Sequence, residues 1–541
     1  MPEELHAALK SAAEERGNSL NSEIVDRLES SLVQESGIST SQGRSMRIGS
    51  MRPVRIAIAA AFIVAAALLV GVFATSKTAS HNTRVLAKKD PDSSLRAKAG
   101  ISNEGPRGTL EAQQEAERAY PAAAVPAVAT QNSQATYATL KTHGKGPGAW
   151  QSIGPSQATY PAVLDQFLAG GKQYIASGRV TALAIGGCKK DNSKCSLYLG
   201  AAGGGVWVAD KATDGNGNVH WQFKSGSFGT NAIGSLLVDP SDRTGNTVYA
   251  GTGELNASGD SEAGKGIYKS TDGGDNWTLV PGSDLFANRA VGTMAFDGAG
   301  NLLVGIGSAV RGVTSVSGGS TSCPSVAICA QRGLYRQTGS TFTLLRPTDI
   351  RGVTQVAVDP NNSNILYQAS YGEGVQRSLD NGVTWTQIKV GLVPGYTVDR
   401  SAFAVNKLPG GKTRMYVGIG NDQTVTARFF RTDDAAGAAV FTDLTTTQNA
   451  DYCTAQCWYD NYVVSPVENP DVVYLGGSFD YNTINGATNG RAVLMSTDAG
   501  AHWSDITRDQ GNDGWLHPDE HALVTVPGHP LQWIAGNDGG V

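Results

Sequence analysis

Three residues near the carboxy terminus have the spacing of a ligand set. His517, Asp519 and His521 stand at i, i+2 and i+4. On an extended strand their side chains share one face, where two imidazoles and a carboxylate can hold a metal ion. The competing reading is that histidines at a strand start hydrogen-bond the neighbouring loops, and no resident metal or cofactor is expected. A second set is convergent charge. Arg179, Arg289, Arg351 and Arg400 each precede an apolar run, and Glu254, Asp260, Asp460 and Asp519 supply carboxyls. Guanidinium groups bind planar anions through paired hydrogen bonds, whereas two carboxyls about 5 to 9 Å apart across a groove are what glycoside hydrolysis needs. If these charges neutralise one another, they are ion pairs between repeats instead. Trp458 and Tyr459, beside Cys457, offer flat faces on which a sugar can stack or neighbouring repeats can pack.

Such residues need a frame, and the sequence repeats one. Ser270-x-Asp272-x-Gly274-x-x-Trp277 returns as Ser378-x-Asp380-x-Gly382-x-x-Trp385 and as Ser496-x-Asp498-x-Gly500-x-x-Trp503. Ser and Asp side chains bond turn amides, Gly supplies a positive φ, and Trp buries a large flat surface as the chain re-enters a strand. Between the copies runs a weaker round of three strands. It reads Val180 to Ile185, Leu197 to Gly200 and Gly205 to Trp207, then Ile233 to Asp239, Val248 to Gly251 and Gly266 to Ser270. Further rounds close at Arg336, Ser378, Thr432 and Ser496, and a seventh starts at His521. Repetition of this kind is the mark of a propeller or solenoid. In a propeller the turns alternate between two faces, which gathers first-strand starts and the loops between second and third strands at the axial opening. Those starts are the four arginines, Asp460-Asn461 and His517 to His521; those loops hold Glu254, Asn256, Asp260, Asp422, Asp480, Asn537 and Asp538.

The repeated turn resembles the Asp-box, or BNR, element of sialidase-like β-propellers. Residues 150–541 resemble bacterial exported sortilin-like and glycosidase-like BNR propellers, through Gly251-Thr252-Gly253-Glu254-x-Asn256, Trp458-Tyr459-Asp460-Asn461, His517-Pro518-Asp519-x-His521 and Gly536-Asn537-Asp538-Gly539-Gly540-Val541. The resemblance implies a mainly β, seven-bladed β-propeller over 149–541, its Asp-box residues structural. Trp150 to Pro155 is expected to supply the outer strand of a last blade that lacks a full third strand, as in a truncated product. It also implies a glycan or protein ligand at the funnel face, met by Arg179, Arg289, Arg351, Arg400, Trp458 and Tyr459. Sialidases imply three arginines, which Arg179, Arg289 and Arg351 could supply, but no Tyr/Glu nucleophile pair is identified. Xyloglucanase-like relatives place a carboxylate pair between two propellers, and only one is present. A binding protein is therefore expected, with an exported glycoside hydrolase using Glu254, Asp260, Asp460 or Asp519 as the alternative.

The amino terminus carries different signals. Leu5, Ala8, Leu9 and Ala12 share a helical face, Gly17-Asn18 ends that helix, and Ile24, Val25, Leu28 and Leu32 form a second stripe that needs a partner. Residues 1–35 resemble the two helices of Arc-type ribbon-helix-helix repressors. The resemblance implies a homodimer that binds DNA, with Asn21 and Ser22 facing phosphate at a helix start. The base-reading strand that should precede Pro2 is missing, which leaves a dimerisation module as the other reading, and a DNA-binding regulator as a further alternative for the whole chain. A basic linker, 36–55, leads to an uncharged run from Ile56 to Ala74 whose length just spans a bilayer core. The run predicts a transmembrane helix or signal anchor over 56–75, hence a single-pass protein with a cytoplasmic amino terminus and a periplasmic or extracellular propeller; a cleaved signal peptide is the rival. Residues 76–148 are polar and aperiodic and read as a flexible linker.

Bulk properties agree with a turn-rich β protein. The chain has 541 residues, 67 of them Gly, and a net charge of −5, so any nucleic-acid binding must rest on a local motif. All six cysteines fall after residue 187 as three close pairs, Cys188 with Cys195, Cys323 with Cys329 and Cys453 with Cys457. Paired spacing beyond an apolar segment predicts loop disulfides in an oxidising compartment.

Overall fold

The computed structural model describes Asn132, Thr136 and residues 177–188, 195–213, 219–256, 261–309, 329–348, 350–389, 391, 399–421, 427–454, 456–478, 490–507 and 517–541. From residue 177 onward these form antiparallel sheets of consecutive strands. The first blade is β1 (Val180–Gly186), β2 (Ser196–Ala201), β3 (Gly205–Ala209) and β4 (Trp221–Phe223). The second is β5 (Ile233–Val238), β6 (Val248–Gly253), β7 (Ala263–Ser270) and β8 (Thr278–Leu279). The third is β9 (Ala290–Phe296), β10 (Leu302–Gly307), β11 (Gly333–Thr338) and β12 (Thr341–Pro347). The fourth is β13 (Val353–Val358), β14 (Leu366–Ser370), β15 (Gly374–Ser378) and β16 (Thr386–Lys389). The fifth is β17 (Arg400–Lys407), β18 (Thr413–Gly420), β19 (Arg428–Thr432) and β20 (Thr442–Asp443). The sixth is β21 (Tyr462–Val464), β22 (Val473–Gly476), β23 (Val493–Ser496) and β24 (Ser504–Asp505). A last sheet has two strands, β25 (Glu520–Val526) and β26 (His529–Asn537).

The architecture is thus a propeller of six complete blades, which corrects the expected seven. The seventh round forms only its first two strands, and a tight turn, with Asn537 and Gly540 bridged, follows β26. First strands pack in order around the axis: β1 on β5, then β9, β13, β17, β21 and β25, and β25 again on β1. A second correction concerns the membrane. Among the described residues no helix is long and apolar enough to cross a bilayer, which stands against the single-pass arrangement. What is described is sheet with its connecting turns, the short 3-10 helices Ser283–Phe286 and Pro409–Gly411, and Asn132 and Thr136 in an α-helix; the expected span 56–75, the two helices of 1–35 and the strand at Trp150 to Pro155 lie outside the described residues.

The strands explain themselves by burial. Second strands are covered on both faces, so β6, β10, β14, β18 and β22 are buried along their whole length and carry no polar alternation. Outer strands are short and exposed, as in β8, β20 and β24. Close stacking demands small residues between layers: a Cβ on Gly251 would lie 2.4 Å from Val291 Cγ1 of the next blade. Apolar clusters fill the wedges between successive sheets, for example Tyr416, Phe429, Val473, Leu475 and Trp503 between the fifth and sixth blades.

Side-chain bonds near the axis tie each blade to the next. Thr181 donates to Ile233 O, Ser235 to Val291 O at 2.9 Å, and Thr354 to Ser401 O at 3.1 Å. Gln355 takes both ends of the Phe403 backbone, and Asn461 donates to Arg400 O at 3.0 Å.

The repeated turns are built alike. Ser270 Oγ donates to Asp272 Oδ1 at 2.7 Å and accepts from Gly274 N at 2.9 Å, while Asn276 N donates to Asp272 Oδ1 at 2.9 Å. The same three bonds recur at Ser378, Asp380, Gly382 and Thr384 and at Ser496, Asp498, Gly500 and His502. Gly274, Gly382 and Gly500 share φ values of +94°, +89° and +87°. Each turn is pinned to its own blade's first hairpin, by Gly273 N to Asn246 O, Asn381 N to Asn364 O and Ala499 N to Asp471 O, at 2.8 to 3.0 Å. Cys188 is bonded to Cys195 and Cys453 to Cys457. Cys329 is also disulfide-bonded, and its expected partner Cys323 lies outside the described residues.

Candidate functional site

An axial cavity of about 250 Å³ passes between the first strands, lined by Thr181, Ser235, Thr293, Gln355, Ser401 and Val463. Its polar end meets Glu254, Asn256, Arg400, Asn461 and His521. A device not legible in the sequence aims some of these side chains. The first strand slips register near its start in five sheets, leaving Thr181, Gly234, Gly292, Thr354 and His521 as the extra residues. A bulge re-aims the side chain it carries, and all five of these residues line the cavity.

His521 shows the consequence. Its Nε2 lies 2.6 Å from Asp538 Oδ1 and its Nδ1 3.2 Å from Asn256 Nδ2. The bulge and the non-strand run before Glu520 break the i, i+2, i+4 geometry on which a shared face depends. His517 instead sits 3.3 Å from Asp519 Oδ2. Among the described residues no three His, Cys, Asp or Glu side chains are placed to hold a metal ion.

Asp538 is the hub. It accepts from Arg179 Nε at 2.9 Å and from Tyr459 OH at 2.8 Å, besides its contact with His521. Burial alone would raise its carboxyl, yet His521 and Arg179 outweigh that and hold it well below the usual range. Arg179 reaches on to Glu254 Oε2 at 3.2 Å and lies over the Tyr459 ring at 5.3 Å. Burial, reinforced by Asp538, pushes the Tyr459 hydroxyl well above its ordinary value, so it stays a donor.

Beside this hub two further acids are sealed in. Asp460 is 0% exposed, and Gln456 Nε2 donates both to Asp460 Oδ2 at 3.2 Å and to Asp519 Oδ1 at 2.9 Å. Burial pushes the Asp460 carboxyl well above the usual range; Asp519, close enough to hydrogen-bond it, and Asp538 add to the rise against the pull of Arg400. Glu520, also buried, is raised by burial, and Asn537 donates to its Oε1 at 3.1 Å.

The remaining residues fall around this centre. Arg400 donates to Tyr459 O at 2.5 Å and to Asn256 Oδ1 at 3.3 Å. Arg351 lies 5.8 Å from the centre of the half-buried Trp458 ring and 5.5 Å from that of Tyr371, whose hydroxyl donates to Trp458 O at 2.8 Å. Arg289 turns away and donates to Ala330 O at 2.7 Å. The structure therefore brings together Arg179, Arg351, Arg400, Glu254, Trp458, Tyr459, Asp460 and Asp519, and does not bring Arg289 to them. Asp260, Asp422, Asp480, Asn21 and Ser22 lie outside the described residues. Tyr371 and Gln456 were not singled out by sequence reasoning. Tyr371 follows the second strand of its blade as Glu254 follows that of the second, which is the positional signal that could have found it.

Residues 1–40 match the Arc-like DNA binding domain family. No curated protein matches the chain. Among solved structures the chain is similar to a GH74 enzyme from Niastella koreensis, at 16% identity and a TM-score of 0.45, covering 68% of this chain and 52% of that one. It is similar to the GH74 xyloglucanase from Xanthomonas campestris at 14% identity and a TM-score of 0.44, with 68% and 52% covered. YCF48 from Cyanidioschyzon merolae aligns at 11% identity and a TM-score of 0.39, with 68% and 95% covered. The chain spans about half the length of the two GH74 structures.

Proposed function

We propose that the chain is a binding protein: a β-propeller that takes a glycan or protein ligand at its funnel face, joined to an amino-terminal Arc-like module that dimerises and binds DNA. The observation that carries the first half is the state of the acids. Glu254 is 1% exposed and held by Arg179, Asp460 is 0% exposed, and Asp519 is 7% exposed against Gln456. Glycoside hydrolysis needs carboxyls that reach a substrate and an attacking water; these three are spent on one another and on arginine. Among the described residues the half-buried Trp458 offers a ligand its ring, whose centre lies 5.8 Å from the Arg351 guanidinium, a surface suited to a sugar face or an aromatic-rich peptide. Support for the second half is the family match over residues 1–40.

The test is a screen of the full chain against glycan arrays and aryl glycosides. Binding without turnover is expected, with Trp458→Ala weakening it at least tenfold. Turnover abolished by Asp460→Asn or Asp519→Asn would replace this reading with the hydrolase one. For the module, the affinity of the full chain for duplex DNA should fall linearly on a log–log plot against salt, as phosphate neutralisation requires. Asn21→Ala with Ser22→Ala should weaken it; a salt-independent or undetectable interaction rules the DNA half out.

A further inference from the structure

We propose that Asp460 and Asp519 share a single proton across the seam between the sixth blade and the two-stranded sheet, and that this proton latches the seam shut. The placement carries the argument. Asp460 lies two residues before β21, and Asp519 directly precedes β25. They belong to neighbouring sheets, and one amide, Gln456 Nε2, bonds both. An amide N–H₂ has two hydrogens and satisfies one oxygen of each carboxyl; it cannot also screen the pair from one another. Among the described residues no hydrogen-bond donor is aimed at the buried Asp460 Oδ1. Two ionised carboxylates in that position would repel at short range in a site closed to water, and a buried acceptor without a donor is itself costly. One proton removes both penalties, because a carboxylic O–H donates to the facing carboxylate.

The surrounding cations do not replace it. Arg179 is committed to Glu254 and Asp538. Arg400 spends Nη1 on Asn256 and Tyr459 O. His521 turns Nε2 to Asp538, and its Nδ1 is 3.6 Å from Asp460 Oδ1, beyond a hydrogen bond. His517 Nδ1 lies 3.3 Å from Asp519 Oδ2 and so favours keeping the negative charge on Asp519, while Asp538 and Glu520, which also face the pair, are acids. Burial and the neighbouring carboxyls lift Asp460 well above its ordinary value, as a proton held in this way should be. The sign follows. A carboxyl raised on folding contributes stability that is complete below the unfolded value of 3.8 and is lost as pH rises toward the folded value. Within that window each pH unit costs about tenfold in the folding equilibrium per proton.

The experiment uses the full chain in an E520Q background, which silences the second raised acid. Thermal unfolding is followed from pH 5 to pH 9 with and without Asp460→Asn. The expected result is a melting temperature that falls with rising pH in the E520Q protein and a flatter profile in E520Q/D460N, because Asn keeps a neutral donor and cannot ionise. Hydrogen exchange at pH 8 should be faster in E520Q than in E520Q/D460N at β21 and β25, with β9 and β10 unchanged. Parallel pH profiles, or an exchange difference spread evenly over the blades, overturn the proposal. Should D460N not fold, infrared spectra of E520Q decide: a protonated-carboxyl band persisting above pH 6 is expected, and its absence at pH 6 overturns the latch.

Discussion

Asp380 and its counterparts show how much a single turn residue can hold. Each accepts bonds from the backbone and side chain of the residue four positions on, in this case Thr384 N at 2.8 Å and the Thr384 hydroxyl at 2.6 Å. The Thr384 bonds, with help from Ser378, pull the carboxyl down from 3.8 to about 2. A lowered carboxyl contributes stability above its unfolded value that is lost as pH falls toward the folded one. Asp380→Asn should therefore melt below wild type at pH 7, and the gap should narrow as pH drops from 4 to 2; a gap independent of pH would contradict this. Gly382 belongs to the same turn. With φ at +89° and a Cβ that would lie 2.9 Å from Leu345 Cδ1, Gly382→Ala should cost about 1–3 kcal/mol in chemical denaturation.

Elements rather than residues decide which tryptophan matters most. Trp503 packs edge-on against Phe429 of the fifth blade, centroids 5.0 Å apart, and donates from Nε1 to Gly500 O at 3.2 Å. Trp277 has no hydrogen-bond partner for its Nε1 among the described residues. Trp503→Ala should cost about 3–5 kcal/mol, and Trp277→Ala less, in the same denaturant titration. The turns were readable because Ser, Asp, Gly and Trp each act locally, within eight residues of chain. First-strand starts were readable too, since periodicity marks where each strand begins, and so Arg179, Asp460 and Asp519 were found. The bulges were not, because a slipped register depends on the partner strand. That is why His517, Asp519 and His521 looked like one face and are not, and why Gln456, bonded across two sheets, carried no signal. The membrane expectation rested on an apolar run, the basic residues before it and the cysteine pairs beyond it, and the round count treated two strands as a blade.

At the scale of the whole molecule the ring depends on contacts between its distant ends. Ser177 N donates to Gly539 O at 2.7 Å, and Arg179 joins Asp538 in the last sheet to Glu254 in the second blade. Removing that guanidinium takes from the buried Glu254 its arginine and leaves the part-buried Asp538 to His521 and Tyr459. Arg179→Met should cost on the order of 3–5 kcal/mol, and Arg179→Met with Asp538→Asn less than the sum of the two single changes; strict additivity would mean that the bridge does not couple the ends.

The two rims of the wheel also differ in their acids. Carboxyls lowered by their turns line the Asp-box side, as at Asp272, Asp380 and Asp498, while carboxyls raised by burial, Asp460 and Glu520, sit at the funnel. Alkali therefore works at the mouth, through Asp460 and Glu520, while acid reaches both rims, because Asp538 at the funnel is lowered too, and the solvent chooses where the one fold first gives way.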